Sequence, residues 1–188
     1  MVKASSITTL QEILCKNGVA EELERSAQVL SHVILNSLNV KKILLIYGNG
    51  GSAADAQHLA GELQCYFERK KRQSLPVIAL TANSSTITAW ANDDSFDGIF
   101  ERQVEGFEGC LGASIGLSTS GKSKNILNGL RKTKRLGGVT VLITGNNKLD
   151  YDFVDYQLEM PSRSTALVQT LTQIVYHRAC EIIDSELP

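Results

Sequence analysis

The chain has 188 residues, of which 43% are hydrophobic, and a net charge of -1. It can bury the core of one globular domain, and its charge gives no field that would hold nucleic acid or an anionic membrane surface, so neither is expected as a partner. The short basic run Arg69–Arg72 is expected to be solvated. Separated cysteines, the lack of a signal-peptide core and the lack of an apolar run of ~18 residues predict a reduced, cytoplasmic protein.

Two helical patterns open the chain, from Ser6 to Cys15 and from Ala20 to Leu38. In the second, apolar residues recur at helical spacing and form a stripe wide enough to be buried on two sides. Packing within the same chain and packing against a second chain explain that width equally well. Residues 1–40 are therefore a candidate oligomer interface.

Five short apolar segments follow, separated by helical patterns, and this alternation predicts a parallel sheet with helices on both faces. The predicted fold class is α/β: residues 1–188 form a single doubly wound, flavodoxin-like domain with its core in residues 41–188. Ligands of such sheets bind beyond the carboxyl ends of the strands. After a first strand that begins at Ile43, strands are expected at 77–80, 113–117, 139–143 and 153–160, and helices at 84–91, 96–107, 123–136 and 164–183.

The first strand leads into the glycine-rich sequence Gly48-Asn49-Gly50-Gly51-Ser52 and then into a helix. Glycines allow a sharp turn and a close approach to a ligand, and free helix amides attract anions such as phosphate. Further along the helix, His58 and Glu62 are four residues apart and share one face. The glycines also fit a loose dinucleotide pattern, but no acidic residue follows the next strand to hold a ribose. We therefore predict no nucleotide cofactor.

A second loop, Ser118-Thr119-Ser120-Gly121-Lys122-Ser123, directly follows the third strand and opens a helix. Its hydroxyls, together with fresh helix amides, offer many donors to one phosphate. Helix capping would account for one serine, Ser123 or Ser120, but not for all of them. The spacing of a Walker A loop is absent, so nucleotide hydrolysis is disfavoured.

Two further candidates are weaker on sequence grounds. Asn92 and Asp93 are compatible with sugar binding or with an ordinary turn. On the last helix, Gln169, Gln173 and His177 form a ridge opposite an apolar stripe that includes Ile174. A lone histidine on a polar helix face is more often solvated than functional.

Together, the glycine-rich loop with His58, the Ser118–Ser123 loop and the helix from Gln169 to His177 resemble the sugar isomerase (SIS) domain family, and within it the bacterial phosphoheptose isomerases. The resemblance covers nearly the whole chain. It implies isomerisation of sedoheptulose 7-phosphate to D-glycero-D-manno-heptose 7-phosphate in the synthesis of surface polysaccharide. It also implies a homotetramer with active sites at subunit interfaces.

The resemblance further implies roles for individual residues. Glu62 and His177 match the acid/base pair of the family. Zinc, one ion per subunit, would be bound by four side chains, those of His58, Glu62, Gln169 and His177. The substrate would be bound by residues of the helices that carry the acid/base pair and by residues at the ends of strands and helices: Glu62, Gln169, Asn49, Gly50, Gly51, Ser52, Asn92, Asp93, Ser118, Thr119, Ser120 and Ser123.

Two positions depart from the family. Gly61 replaces an acidic residue just before the catalytic glutamate, and Ala166 replaces an aspartate that contributes to activity. These departures keep two alternatives open. One is a non-catalytic SIS module that binds a sugar phosphate or a protein partner, as in a relative that associates with a replication initiator. The other is an isomerase of a different sugar phosphate.

The residue types suit aldose–ketose chemistry. A carboxylate can remove a proton from carbon, and a histidine with a pKa near ~6.5 can serve the oxygens at neutral pH. Gln169 and His177 lie eight residues apart on one helix, ~12 Å along its axis, so both would have to stretch to reach one metal ion. We therefore expect the site to be shared between chains, with one group supplied by a neighbour.

Overall fold

The computed structural model describes residues 6–70 and 72–187. Its α-helices are α1 (Ser6–Leu14), α2 (Val19–Asn39), α3 (Gly51–Gln64), α4 (Ser84–Asp93), α5 (Ile99–Glu105), α6 (Lys124–Arg135) and α7 (Thr165–Glu186). Its strands are β1 (Ile43–Gly48), β2 (Val77–Ala79), β3 (Leu111–Leu117), β4 (Val139–Gly145) and β5 (Tyr156–Met160). Within these ranges, no helix has the length and apolarity needed to cross a bilayer.

The strands form one parallel sheet in the order β2-β1-β3-β4-β5. This is the doubly wound, flavodoxin-like order, so the predicted fold class is confirmed. The last strand is shorter than expected, because the segment before it is bonded to the side chain of Thr140 in β4 and not to the backbone ladder of that strand. Thr140 Oγ1 donates to the carbonyl of Phe153 at 2.8 Å, and Asp155 N–H donates to Thr140 Oγ1 at 2.9 Å.

Hydrophobic side chains alternate between the two faces of the sheet, as the period of a strand requires. In β1, Leu44 and Ile46 join a core shared with α2, α3 and α7, whereas Leu45 and Tyr47 join a core shared with α5 and α6. The apolar stripe of α2 is part of the first core, so packing within the chain accounts for it. Ile174, expected in the buried stripe of α7, is instead 39% exposed.

The basic run is not uniformly solvated. Arg69 and Lys70 are exposed as expected, Lys71 lies outside the described residues, and Arg72 is buried, so the prediction is wrong for Arg72. Its Nε donates to Asp184 Oδ1 at 2.6 Å, and its two terminal nitrogens donate to the carbonyls of Leu63 and Glu62 at 3.0 and 2.8 Å. Arg72 thus ties the end of α3 to the end of α7.

Candidate active site

At the carboxyl edge of the sheet, three helices begin with an N-cap residue whose side chain makes no capping hydrogen bond. Their N-cap residues are Gly50 for α3, Ser123 for α6 and Ser164 for α7, and none of these makes a side-chain cap within its helix. In α4, by contrast, the Asn83 side chain accepts from the Thr86 N–H. The first amides of an uncapped helix can donate to an anion, so this edge is suited to phosphate.

The Ser118–Ser123 loop lies at the start of α6. Ser118 Oγ donates to Ser123 Oγ at 3.1 Å, and Ser120 Oγ accepts from the Lys122 N–H at 3.2 Å. Ser120 and Ser123 were the two candidate helix caps. The Ser120 side chain accepts a backbone N–H in a local turn before α6, and the Ser123 side chain makes no capping hydrogen bond. Thr119 Oγ1 lies 3.5 Å from Thr165 Oγ1, which places this loop against the first turn of α7.

The glycine-rich loop is tied to both α6 and α7. Gly50 has a φ of 56°, a left-handed conformation that glycine adopts readily. A side chain at Gly51 would meet the amide of Gln169, so this glycine allows the loop to approach α7 closely. Asn49 exchanges two hydrogen bonds with Asn125 of α6.

Helices α3 and α7 run side by side from this edge and join through polar side chains. Gln169 Nε2 donates to Ser52 Oγ at 3.4 Å, and Gln173 Nε2 donates to Asp55 Oδ1 at 3.0 Å. Burial raises the pKa of the Asp55 carboxyl. The ridge predicted on α7 is therefore the contact with α3.

Further along α3 and α7, three ionisable side chains lie close together. Potential ligand atoms of His58, Glu62 and His177 all lie within 4.8 Å of one another. His58 Nε2 lies 3.0 Å from Glu62 Oε1, and His58 Nδ1 lies 2.9 Å from the hydroxyl of the buried Tyr176. Phe67 stacks on His177 with ring centroids 5.3 Å apart. Both rings are thus held in place around Glu62.

His177 differs from the other two members of this cluster in its surroundings. Its Nε2 is buried and has no hydrogen-bond partner among the described residues. Burial lowers the pKa of His177, and the neighbouring His58 lowers it further. A neutral imidazole with a free nitrogen is ready to accept a proton or to bind a cation.

The lowered pKa of His177 has a measurable consequence. Because the ring stays neutral at lower pH than a free imidazole, a reaction that needs it as a base should lose activity only below about pH 6.5. The acidic limb of the pH profile of kcat/KM is therefore expected to have an apparent pKa below ~6.5. A limb clearly above that value would contradict a role for neutral His177.

Comparison with known proteins identifies the family of the chain. The SIS domain family model matches residues 10–145. The chain is 38% identical over 184 residues to the phosphoheptose isomerase of Clostridium acetobutylicum, covering 97% of this chain and 91% of the relative. It is 48% identical over 145 residues to that of Synechocystis sp., covering 77% and 74%. The chain belongs to the SIS domain family and, within it, to the phosphoheptose isomerases.

The fold of this SIS domain is also that of a solved relative. The structure of a phosphoheptose isomerase from Francisella tularensis matches with a TM-score of 0.83 and 28% identity, covering 97% of this chain and 100% of that one. The similarity extends to residues outside the family model, including α7. Both helices that carry the ionisable cluster thus belong to the shared structure.

The structure gathers some predicted site residues and separates others. His58, Glu62 and His177 are together, whereas Gln169 lies two turns before His177 and contacts Ser52. Asn92 and Asp93 are exposed in the last turn of α4, where the amide of one donates to the carboxylate of the other at 2.8 Å. No hydrogen bond in the described ranges joins that pair to another predicted site residue.

The two departures from the family lie at accessible positions. A side chain added at Gly61 would meet no atom within 4 Å, so the backbone there does not require glycine. Ala166 is exposed in the first turn of α7. Neither position belongs to the cluster of His58, Glu62 and His177.

Sequence reasoning missed the residues that hold the site together. Asn125, Tyr176 and the pair Arg72–Asp184 all contact residues far away in the chain. A buried position at the start of a helix after a hydroxyl-rich loop would have been the only signal for Asn125. For Tyr176, the signal was its place beside His177 on the apolar side of α7.

Proposed function

We propose that this chain converts sedoheptulose 7-phosphate to D-glycero-D-manno-heptose 7-phosphate, which supplies heptose for surface polysaccharide. The observation that carries the proposal is the placement of Glu62 beside His177, whose pKa is lowered by burial and whose Nε2 has no hydrogen-bond partner among the described residues, on two helices that start at the carboxyl edge of the sheet. The relatives named above bear the name phosphoheptose isomerase, which supports the same reaction.

Substrate binding follows from the chemistry of the two loops. The phosphate binds at the start of α6, to hydroxyls that need no positive charge to donate. Ser52 assists from the start of α3. The sugar then extends over the glycine-rich loop toward the acid/base cluster. The residues proposed for the phosphate are Ser118, Thr119, Ser120 and Ser123, and those for the sugar are Asn49, Gly50, Gly51, Asn92, Asp93 and Gln169.

The reaction moves one proton between carbons and one between oxygens. Glu62 removes a proton from carbon 1 of the ketose, and the electron pair forms the double bond between carbons 1 and 2 while negative charge develops on oxygen 2. Neutral His177 accepts the hydroxyl proton from oxygen 1 and passes it to oxygen 2. The carbonyl then forms at carbon 1, and the electron pair of the double bond takes a proton at carbon 2 from Glu62, whose proton can exchange with water in the meantime. The aldose results, and both side chains regain their starting states.

A zinc ion is compatible with the cluster. The free Nε2 of His177 and the nitrogen and oxygen atoms of His58 and Glu62 are donors that zinc prefers. When bound, zinc would polarise the sugar carbonyl, and it would compete with proton transfer for Glu62 and His177, so zinc would occupy the resting site. We propose that these three residues hold it and that the fourth ligand is a glutamine, Gln169, from a second copy of the chain.

Zinc binding can be measured without activity, since the chain has three histidines. Zinc added to metal-free protein should shift the imidazole NMR signals of His58 and His177. His32, which pairs with Asn36 on α2, is an internal control that should not move. Equal shifts of all three rings, or of none, would contradict the proposed ligands.

We propose that the active form is a homotetramer built partly through the helices in residues 1–40. A groove of about 480 Å³ opens beside His177, and its apolar lining includes Leu14, Leu23 and the exposed Ile174. A second chain seated there would cover that apolar surface and bring its own groups to His177. Sedimentation that shows a fully active monomer would contradict shared sites.

The function is tested by incubation with sedoheptulose 7-phosphate, with fructose 6-phosphate in parallel, followed by NMR. We expect an aldose heptose phosphate from the wild type and almost none from His177→Ala. Turnover of fructose 6-phosphate in preference to the heptose would show an isomerase of another sugar. No turnover of either, with and without zinc, would identify a non-catalytic module.

A further inference from the structure

Asn49 and Asn125 form a closed pair of side-chain amides between two loops of the site. Asn49 Nδ2 donates to Asn125 Oδ1 at 2.9 Å, and Asn125 Nδ2 donates to Asn49 Oδ1 at 2.8 Å. The residues are 76 positions apart in the chain. Asn125 is 2% exposed and lies in the first turn of α6, two residues after the Ser118–Ser123 loop ends.

The two asparagines differ in the hydrogen bonds that they can still make to a ligand. Asn125 Oδ1 also accepts the Ile126 N–H at 3.0 Å, and its burial keeps it from a ligand. A side-chain amide has two N–H donors and two acceptor lone pairs, so Asn49 keeps one of each. Asn49 can therefore both donate to a sugar hydroxyl and accept from one. Asn125 meanwhile fixes the rotamer of Asn49 and the orientation of the Asn49 amide.

Both bonds also connect the two ligand loops. Asn49 belongs to the glycine-rich loop after β1, and Asn125 belongs to α6, the helix that follows the Ser118–Ser123 loop after β3. These strands are neighbours in the sheet. The distance between the sugar end and the phosphate end of the site is thus held by side chains as well as by the backbone.

We infer that Asn125 is a positioning residue that acts on the substrate through Asn49. The inference rests on the proposed function, because it assigns Asn49 to the sugar and the Ser118–Ser123 loop to the phosphate. Asn125 holds the amide of Asn49 ready for the sugar, so that it does not have to be ordered when the substrate binds.

A double-mutant cycle tests this inference, with Asn49→Ala, Asn125→Ala and the double variant. Loss of the amide pair should raise KM for the sugar phosphate by about 10-fold in Asn125→Ala, since each net hydrogen bond contributes on the order of 1 kcal/mol. The same change should have no further effect in Asn49→Ala. Inhibition by inorganic phosphate should stay within about 2-fold of the wild type in all three, because the hydroxyl-rich loop is intact.

If Asn125 had only a structural role, the kinetic effects of the variants would follow a different pattern. Effects that add in the double variant, or an equal loss of phosphate inhibition, would overturn the inference. Asn125→Asp, which keeps one acceptor for Asn49, should recover part of the loss in KM. Urea unfolding of each variant identifies any that fail to fold.

One readout does not depend on turnover, so failure of the proposed function stays distinguishable. In the wild type, the Asn49 side-chain N–H proton that donates to Asn125 should exchange with water more slowly than the second proton of the same amide, as NMR spectra can measure. In Asn125→Ala the two protons should exchange at similar rates. Unchanged Asn49 signals in that variant would overturn the positioning role, even in a protein that isomerises no sugar.

Discussion

Replacement of Glu62 by glutamine is expected to lower kcat by ~10³-fold, with KM changed much less. The amide has nearly the same shape and can still contact His58, which lies 3.0 Å away, but it cannot remove a proton from carbon. The variant should therefore bind the sugar phosphate and fail to convert it. Steady-state kinetics with sedoheptulose 7-phosphate measure both parameters.

A matched control is Glu105→Gln. Glu105 is an exposed carboxylate on α5, where it pairs with Arg102 on the other side of the sheet. Its replacement should leave kcat unchanged. If Glu62→Gln retained the wild-type kcat while the control behaved as expected, Glu62 would not be the base.

Replacement of Arg72 by methionine is expected to lower the free energy of unfolding by about 3–5 kcal/mol. The side chains of Arg72 and Asp184 are 1% and 7% exposed, so the change leaves a buried carboxylate without its cation. It also removes donors from the carbonyls of Glu62 and Leu63 at the end of α3. Urea unfolding at neutral pH measures the loss.

The exposed pair Arg178–Glu24 provides the control for this effect. Its side chains are 45% and 39% exposed, and Arg178→Met should cost at most about 1 kcal/mol. The double variant Arg72→Met with Asp184→Leu should regain part of the stability, because no buried charge is then left alone. Equal losses from Arg72→Met and Arg178→Met would contradict a structural role for the buried pair.

The elements that carry the site were predictable because their signals are local. Apolar strands alternating with helices gave the parallel sheet, and glycine or hydroxyl residues directly after β1 and β3 marked its binding edge. The spacing of His58 and Glu62 placed both on one face of α3, where the structure has them. Their roles in substrate and metal binding remain predictions.

The remaining features depend on packing between distant segments. A run of charged residues predicts a solvated segment. Arg72 is nevertheless buried, because Asp184 approaches the end of α3 and pairs with it. Likewise, helical spacing showed that Gln169 and His177 are far apart but not that Ser52 is the neighbour of Gln169. The position of Asn125 at the start of a helix was a weak signal, but its pairing with Asn49 has none in one sequence, because either amide could have faced water.

We infer that Glu62 and His177 isomerise a phosphorylated ketose through an enediol. The most direct test is to incubate the wild-type protein with sedoheptulose 7-phosphate in D₂O and to follow the products by NMR. We predict the signals of an aldose heptose 7-phosphate, with deuterium at carbon 2 and with no such product from Glu62→Gln. Unchanged sedoheptulose 7-phosphate after incubation with the folded wild type, with and without zinc, would contradict this account.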